Sequence, residues 1–111
     1  VWWRSLAGVV DTTPLLRAVD LFADRLRAAP QSRLQRGAAA EALRLAQDLA
    51  RWAQEVETPG DEVRVMPDAG MFAVADQITV AAHDLAVVLR SVGEVEEAVR
   101  VVEDARKRAG V

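Results

Sequence analysis

An all-α fold, a four-helix bundle built from two antiparallel helical hairpins, is predicted by three features of this chain. Four stretches carry apolar residues at the three-and-four spacing of an amphipathic helix. The composition is rich in small apolar residues, with 21 Ala and 17 Val against 2 Phe, 3 Trp and no Tyr. Alanine favours helix, and small side chains let helices approach closely. Two connections, APQS and SVG, are short, as between antiparallel neighbours, and one is long. The 111 residues suit a single domain, 1–111, able to bury about two-thirds of its unfolded surface.

The first helix is expected to start at Thr13 as cap with Pro14 in the first turn, where a missing N–H costs little. Leu15, Val19, Phe22 and Leu26 form its inner stripe, and Pro30 stops it. The second begins near Ser32. Leu34, Ala38, Ala42, Leu45, Leu49, Trp52 and Val56 make one unbroken stripe, with Ala39, Leu43, Ala46, Ala50 and Ala53 beside it. Two apolar arcs imply two packing neighbours. Arg33, Arg44 and Arg51 line the opposite face, with Glu41, Asp48 and Glu55 within pairing distance of Arg44 and Arg51. Thr58, Pro59 and Gly60 close this hairpin, 14–57.

A loop, 58–68, follows. Its EVRVM run alternates like a short strand and is read as an extended piece open to pairing across a dimer. The second hairpin, 69–109, begins with a helix from Asp68 to about Ser91, carrying Met71, Val74, Ala75, Ile78, Ala82, Leu85 and Leu89 inward. The last helix runs from Glu94 to Ala109. Its acidic start and basic end complement the helix dipole, and Gly110 supplies a left-handed stop. The N-terminal WWRSLAGVV is read as a short extra helix. Trp2 and Trp3 are costly to leave in water, so they should fold onto the bundle or a partner.

Composition excludes several functions. There is no cysteine, which removes disulfides, thiolate metal sites and cysteine nucleophiles. With no secretory leader in the sequence either, a reducing cytoplasm is the expected location. Residues 1–53 carry a net +3 and residues 54–111 a net −6, which argues against wrapping nucleic acid around the second half. No apolar run approaches the ~20 residues that span a bilayer. One histidine, three serines and no phosphate-cradling glycine loop leave no expected catalytic, cofactor or metal site.

Residues 37–53 and 93–109 echo one another, with Gly37 and Gly93, Glu41 and Glu97, Ala42 and Ala98, and Arg44 and Arg100 identical. Residues 79–110 resemble one tetratricopeptide unit. Leu85, Ala86 and Leu89 match its first helix, Gly93 its turn glycine, and Val95, Ala98, Val102 and Ala105 its second helix. That resemblance implies helical-hairpin geometry and a peptide-binding role. His83, Leu85 and Gly93 are also similar to the motif of histidine phosphotransfer domains, which are four-helix bundles with an exposed histidine. Ala86 and Val87 stand where that family has Lys and Gly. The likeness implies phosphoryl transfer through His83.

The surrounding residues suggest another role. On a helical wheel His83 shares an arc with Asp76, Val80, Val87 and Arg90, and Asp84 lies at its rim. An apolar-polar strip of this kind suits a helix–helix contact with another chain. The alternative is cover from the first helix or the WW segment. The expected function is thus a non-enzymatic helical protein–protein interaction or scaffold module, self-associating as a homodimer or binding another protein. The alternatives are phosphotransfer through His83 and small-ligand regulation in a pocket between helices.

Overall fold

Thr12, rather than Thr13, is the N-cap of the first helix in this computed structural model, which describes residues 9–111. The Asp11 carboxylate accepts the Thr13 N–H at 3.0 Å, and helix α1 spans Thr13–Ala28. The hydroxyl and amide of Thr13 hold the Asp11 carboxyl below its ordinary range. That contribution exists above the unfolded value and is lost as pH falls through the lowered one. Ala29 turns to extended backbone, as a residue before proline must, and α1 ends. The Trp2–Trp3 expectation lies outside the described residues.

The second helix departs from the unbroken form expected. Gln31–Arg33 makes one helical turn, Leu34–Ala38 widens to π-type bonding, and helix α2 runs Ala39–Glu57. Gly37 breaks the path with φ 146°, open to glycine and hostile to other residues. The Arg33 guanidinium donates to the Gly110 carbonyl at 2.6 Å, which ties the segment before the kink to the chain's far end. Leu34 and Ala38 remain buried, so the inner stripe survives the bend.

Helix α3 spans Val74–Val88, six residues later than expected at its start. Asp68 does not cap a helix. It accepts the Gly70 N–H at 2.8 Å in a local turn, and Gly70 has φ 95°. The loop therefore extends over 58–73. Helix α4 spans Val92–Ala109. Ser91 Oγ accepts the Glu94 N–H, and the Glu94 carboxylate accepts from the Arg90 N–H and the Ser91 hydroxyl. In this variant of the capping box α4 starts at Val92, and α3 ends at Val88. Gly93 thus lies inside the first turn of α4 and is not the turn residue. Gly110, at φ 73°, ends α4 as predicted.

The four helices form an all-α bundle, and no strand occurs among the described residues. α1 packs on α3 and α4, and α2 packs on the same two. Contacts at the ends set the directions. Arg27, late in α1, pairs with Asp76, early in α3, at 2.7 Å, so these helices are antiparallel. Arg108, late in α4, pairs with Glu41, early in α2, at 3.0 Å, so they are antiparallel too. α2 and α3 run parallel: Ala39 and Leu43 share a groove with Val74, and Ala50 and Ala53 share one with Val87 and Val88. Each short connection joins antiparallel helices, as expected, but spans the diagonal of the bundle. The long loop returns the chain from one end to the other.

Phe22, Leu15, Leu45, Leu49, Ile78 and Leu85 fill the centre. Ala42, Ala46, Ala82, Ala98 and Ala105 are fully buried, so close helix approach accounts for much of the alanine.

The echoed glycines should respond oppositely to alanine. Gly37→Ala should destabilise the fold by about 1–3 kcal/mol through backbone strain, since no atom stands near the added Cβ. Gly93→Ala, in helical backbone, should be neutral or stabilising by up to about 1 kcal/mol. Urea unfolding midpoints measure both.

Candidate interaction surface

The return loop is held by glutamines. Gln54 donates to the Arg64 carbonyl and accepts from the Arg64 N–H, both at 2.8 Å. Its amide pairs with the loop as a neighbouring strand would. Gln47 donates to the Met66 carbonyl at 3.0 Å, and Gln77 to that of Pro67 at 2.8 Å. The EVRVM piece, 62–66, is neither helix nor strand, and its backbone bonds to glutamine side chains of α2. Held this way, Val65 points outward and is 63% exposed.

α3 turns its outer arc to solvent. Between Val74 and Val88 the exposed positions are Asp76, Val80, His83, Asp84 and Val87. Val80 is 56% and Val87 77% exposed. Val74, Ala75, Ile78, Ala81, Ala82, Leu85 and Val88 fill the opposite arc against α1 and α2. Among the described residues Asp76, Val80, His83 and Val87 thus share one exposed face of α3, which α1 does not cover.

Its two charged ends are fixed by neighbours. Asp76 is held by Arg27, yet its side chain keeps 79% of its exposure. Arg90 lies beyond the end of α3, not on it as the helical wheel assumed. Its guanidinium folds back and donates to the Val87 carbonyl at 3.3 Å, which keeps its charge beside the strip.

The fold adds residues that periodicity along one helix did not reveal. Val87 is a ridge between two grooves. One is lined by Val65, Met66 and Asp84, the other by Val9, Val10, Leu16 and His83. Val9, 69% exposed, and Val65 therefore flank Val87 from either side. Only the alternation of EVRVM hinted at Val65, and nothing marked Val9. Phe72, 74% exposed, stands apart near the start of α3 beside Met71 and Leu26.

The charged face of α2 differs from expectation. Among the described residues Arg44 and Arg51 make no ion pair within 4.0 Å, and Glu41 reaches across to Arg108 instead. Local spacing permits the i,i+4 pairs, but exposed pairs of long side chains gain little. Among the described residues no three acidic or histidine side chains converge as a metal-binding group. No helix there is long and apolar enough to cross a membrane. Comparison with models of known families, with curated proteins and with solved structures finds no match.

Removing the Gln54 clamp should free the loop. Gln54→Ala should cost about 1–2 kcal/mol, since it loses both hydrogen bonds to Arg64 and one to the Ala50 carbonyl. Hydrogen exchange of the Arg64 amide should quicken by at least roughly tenfold while the amides of α3 change far less.

Proposed function

We propose that this chain is a non-enzymatic helical interaction or scaffold module that self-associates through the outer face of α3. One observation carries the reading: two of the five exposed positions on α3 are valines. By contrast, beyond Val92 and Gly93 every exposed position of α4 is charged. Val65 and Val9 beside Val87 widen the apolar area, which suits a contact better than isolated surface valines do. A cysteine-free chain suits a reducing compartment, and we place its action in the cytoplasm.

Magnitudes favour a modest contact. Covering each half-exposed valine contributes about 1–2 kcal/mol. A two-fold contact covers four of them, about 4–8 kcal/mol, against an association cost of about 4–15 kcal/mol. The valines alone meet only the lower end of that cost, so single substitutions have large effects, and each acts twice in a symmetric pair.

A second reading, phosphotransfer, is favoured by the exposure of His83 on a four-helix bundle. Ala86 and Val87, in place of the Lys and Gly of the family it resembles, weaken it.

Sedimentation equilibrium tests the first reading. The wild-type chain should dimerise, and Val80→Glu or Val87→Glu should weaken this by at least roughly tenfold, about 1.4 kcal/mol. A wild-type chain that remains monomeric removes self-association. Incubation with phosphorylated receiver domains tests the second: acid-labile label on His83, abolished by His83→Gln, supports it, and no label rejects it.

A further inference from the structure

The exposed strip has an order of its own. Asp76, Val80, His83, Val87 and Arg90 follow one another at steps of four, three, four and three. The first four lie on one exposed face of α3, opposite the core arc, and Arg90 lies two residues past its end with its guanidinium folded back to the Val87 carbonyl. The strip is also nearly palindromic about His83. Asp76 and Arg90 stand seven residues to either side, and Val80 and Val87 three and four residues away.

Resting on the reading of α3 as a self-association face, we propose that two copies pair α3 against α3 in antiparallel register centred on His83. A two-fold axis at that point sets Val80 against Val87 of the second copy, twice. It sets Asp76 against Arg90 of the second copy, also twice. His83 then faces His83 and Asp84 of the second copy. Self-complementarity of this kind is what a two-fold contact requires.

Charge decides the direction. In a parallel pair Asp76 meets Asp76 and Arg90 meets Arg90, and both ends repel. In the antiparallel pair both ends attract. The fold keeps these groups available. The Asp76 side chain is 79% exposed, and the oxygen not held by Arg27 accepts no hydrogen bond among the described residues. Arg90 is anchored to the Val87 carbonyl at the other end of the strip. Approach of Arg90 from a second copy extends an alternating run of Asp24, Arg27 and Asp76. Val65 and Val9 flank the valine pairs, adding apolar area beside a seam that α3 alone makes short.

The chain has no cysteine, so introduced ones report without interference. Val80→Cys and Val87→Cys chains are oxidised separately and as an equal mixture, after circular dichroism shows each folded. The mixture should yield roughly fivefold more disulfide-linked dimer than either variant alone, since only the 80–87 pairing brings the Cβ atoms within bonding range. A dominant 80–80 or 87–87 product overturns the register. A wild-type dimer with no link at either position also overturns it, while leaving self-association standing. A monomeric wild type removes both. As a second measurement, Asp76→Arg and Arg90→Asp should each weaken the dimer several-fold, and mixing the two should restore it. No recovery on mixing overturns the ion-pair assignment.

Discussion

Parallel packing of α2 against α3 governs the path of the whole chain. Two parallel helices cannot be joined by a tight turn, so residues 58–73 must travel back along the bundle. A loop lying on a helical surface has backbone polar groups that neither helix nor sheet satisfies. Gln47, Gln54 and Gln77 answer that need, and Gln54 does so with both ends of its amide. The loop is thereby fixed beside α3, and Val65 is presented next to Val87. An apparently structureless connection thus shapes the chemistry of the exposed face.

The position of α3 explains why that face exists. α1 and α2 cover one wide arc of it, and the apolar residues there form the middle of the core. Its ends meet features outside the helix: Gly70 delays its start, and the Ser91–Glu94 capping box follows its last turn. What remains outward is a strip of about two heptads, bounded by Asp76 at one end and Arg90 at the other. The apolar-polar mixture around His83 is the outer edge of a helix whose other sides are occupied.

Features set by neighbouring residues were legible in the sequence. Pro30, the Thr58–Pro59–Gly60 break and Gly110 mark their turns through backbone chemistry alone. The Val80, His83 and Val87 strip was legible for the same reason, since helical periodicity is local. The helix expected from Asp68 starts later because Gly70, two residues on, takes a conformation no helix admits. Gly37 sits in a stripe that continues on both sides of it, so pattern alone hides the bend. The glutamines look like ordinary solvent-facing residues until the loop passes over them. Arg90 was misplaced because its helix ends two residues before it. Diagonal pairing and the approach of Val9 and Val65 to Val87 depend on the whole fold, which no window of sequence contains.

The diagonal arrangement also bears on how the bundle comes into being. Each helix packs chiefly on partners that are not joined to it by a short turn, and α1 finds its own only in the second half of the chain. Neither pair joined by a short turn can therefore collapse early into a unit that seeds the rest, and α2 and α3 must first close the long loop between them. Contacts of long sequence separation must be closed first, which slows folding relative to bundles of local hairpins. During synthesis the apolar stripe of α1, with Leu15, Val19 and Phe22, stays without its partners until α3 and α4 have emerged. The nascent chain thus exposes this surface for longer than a simple up-and-down bundle would.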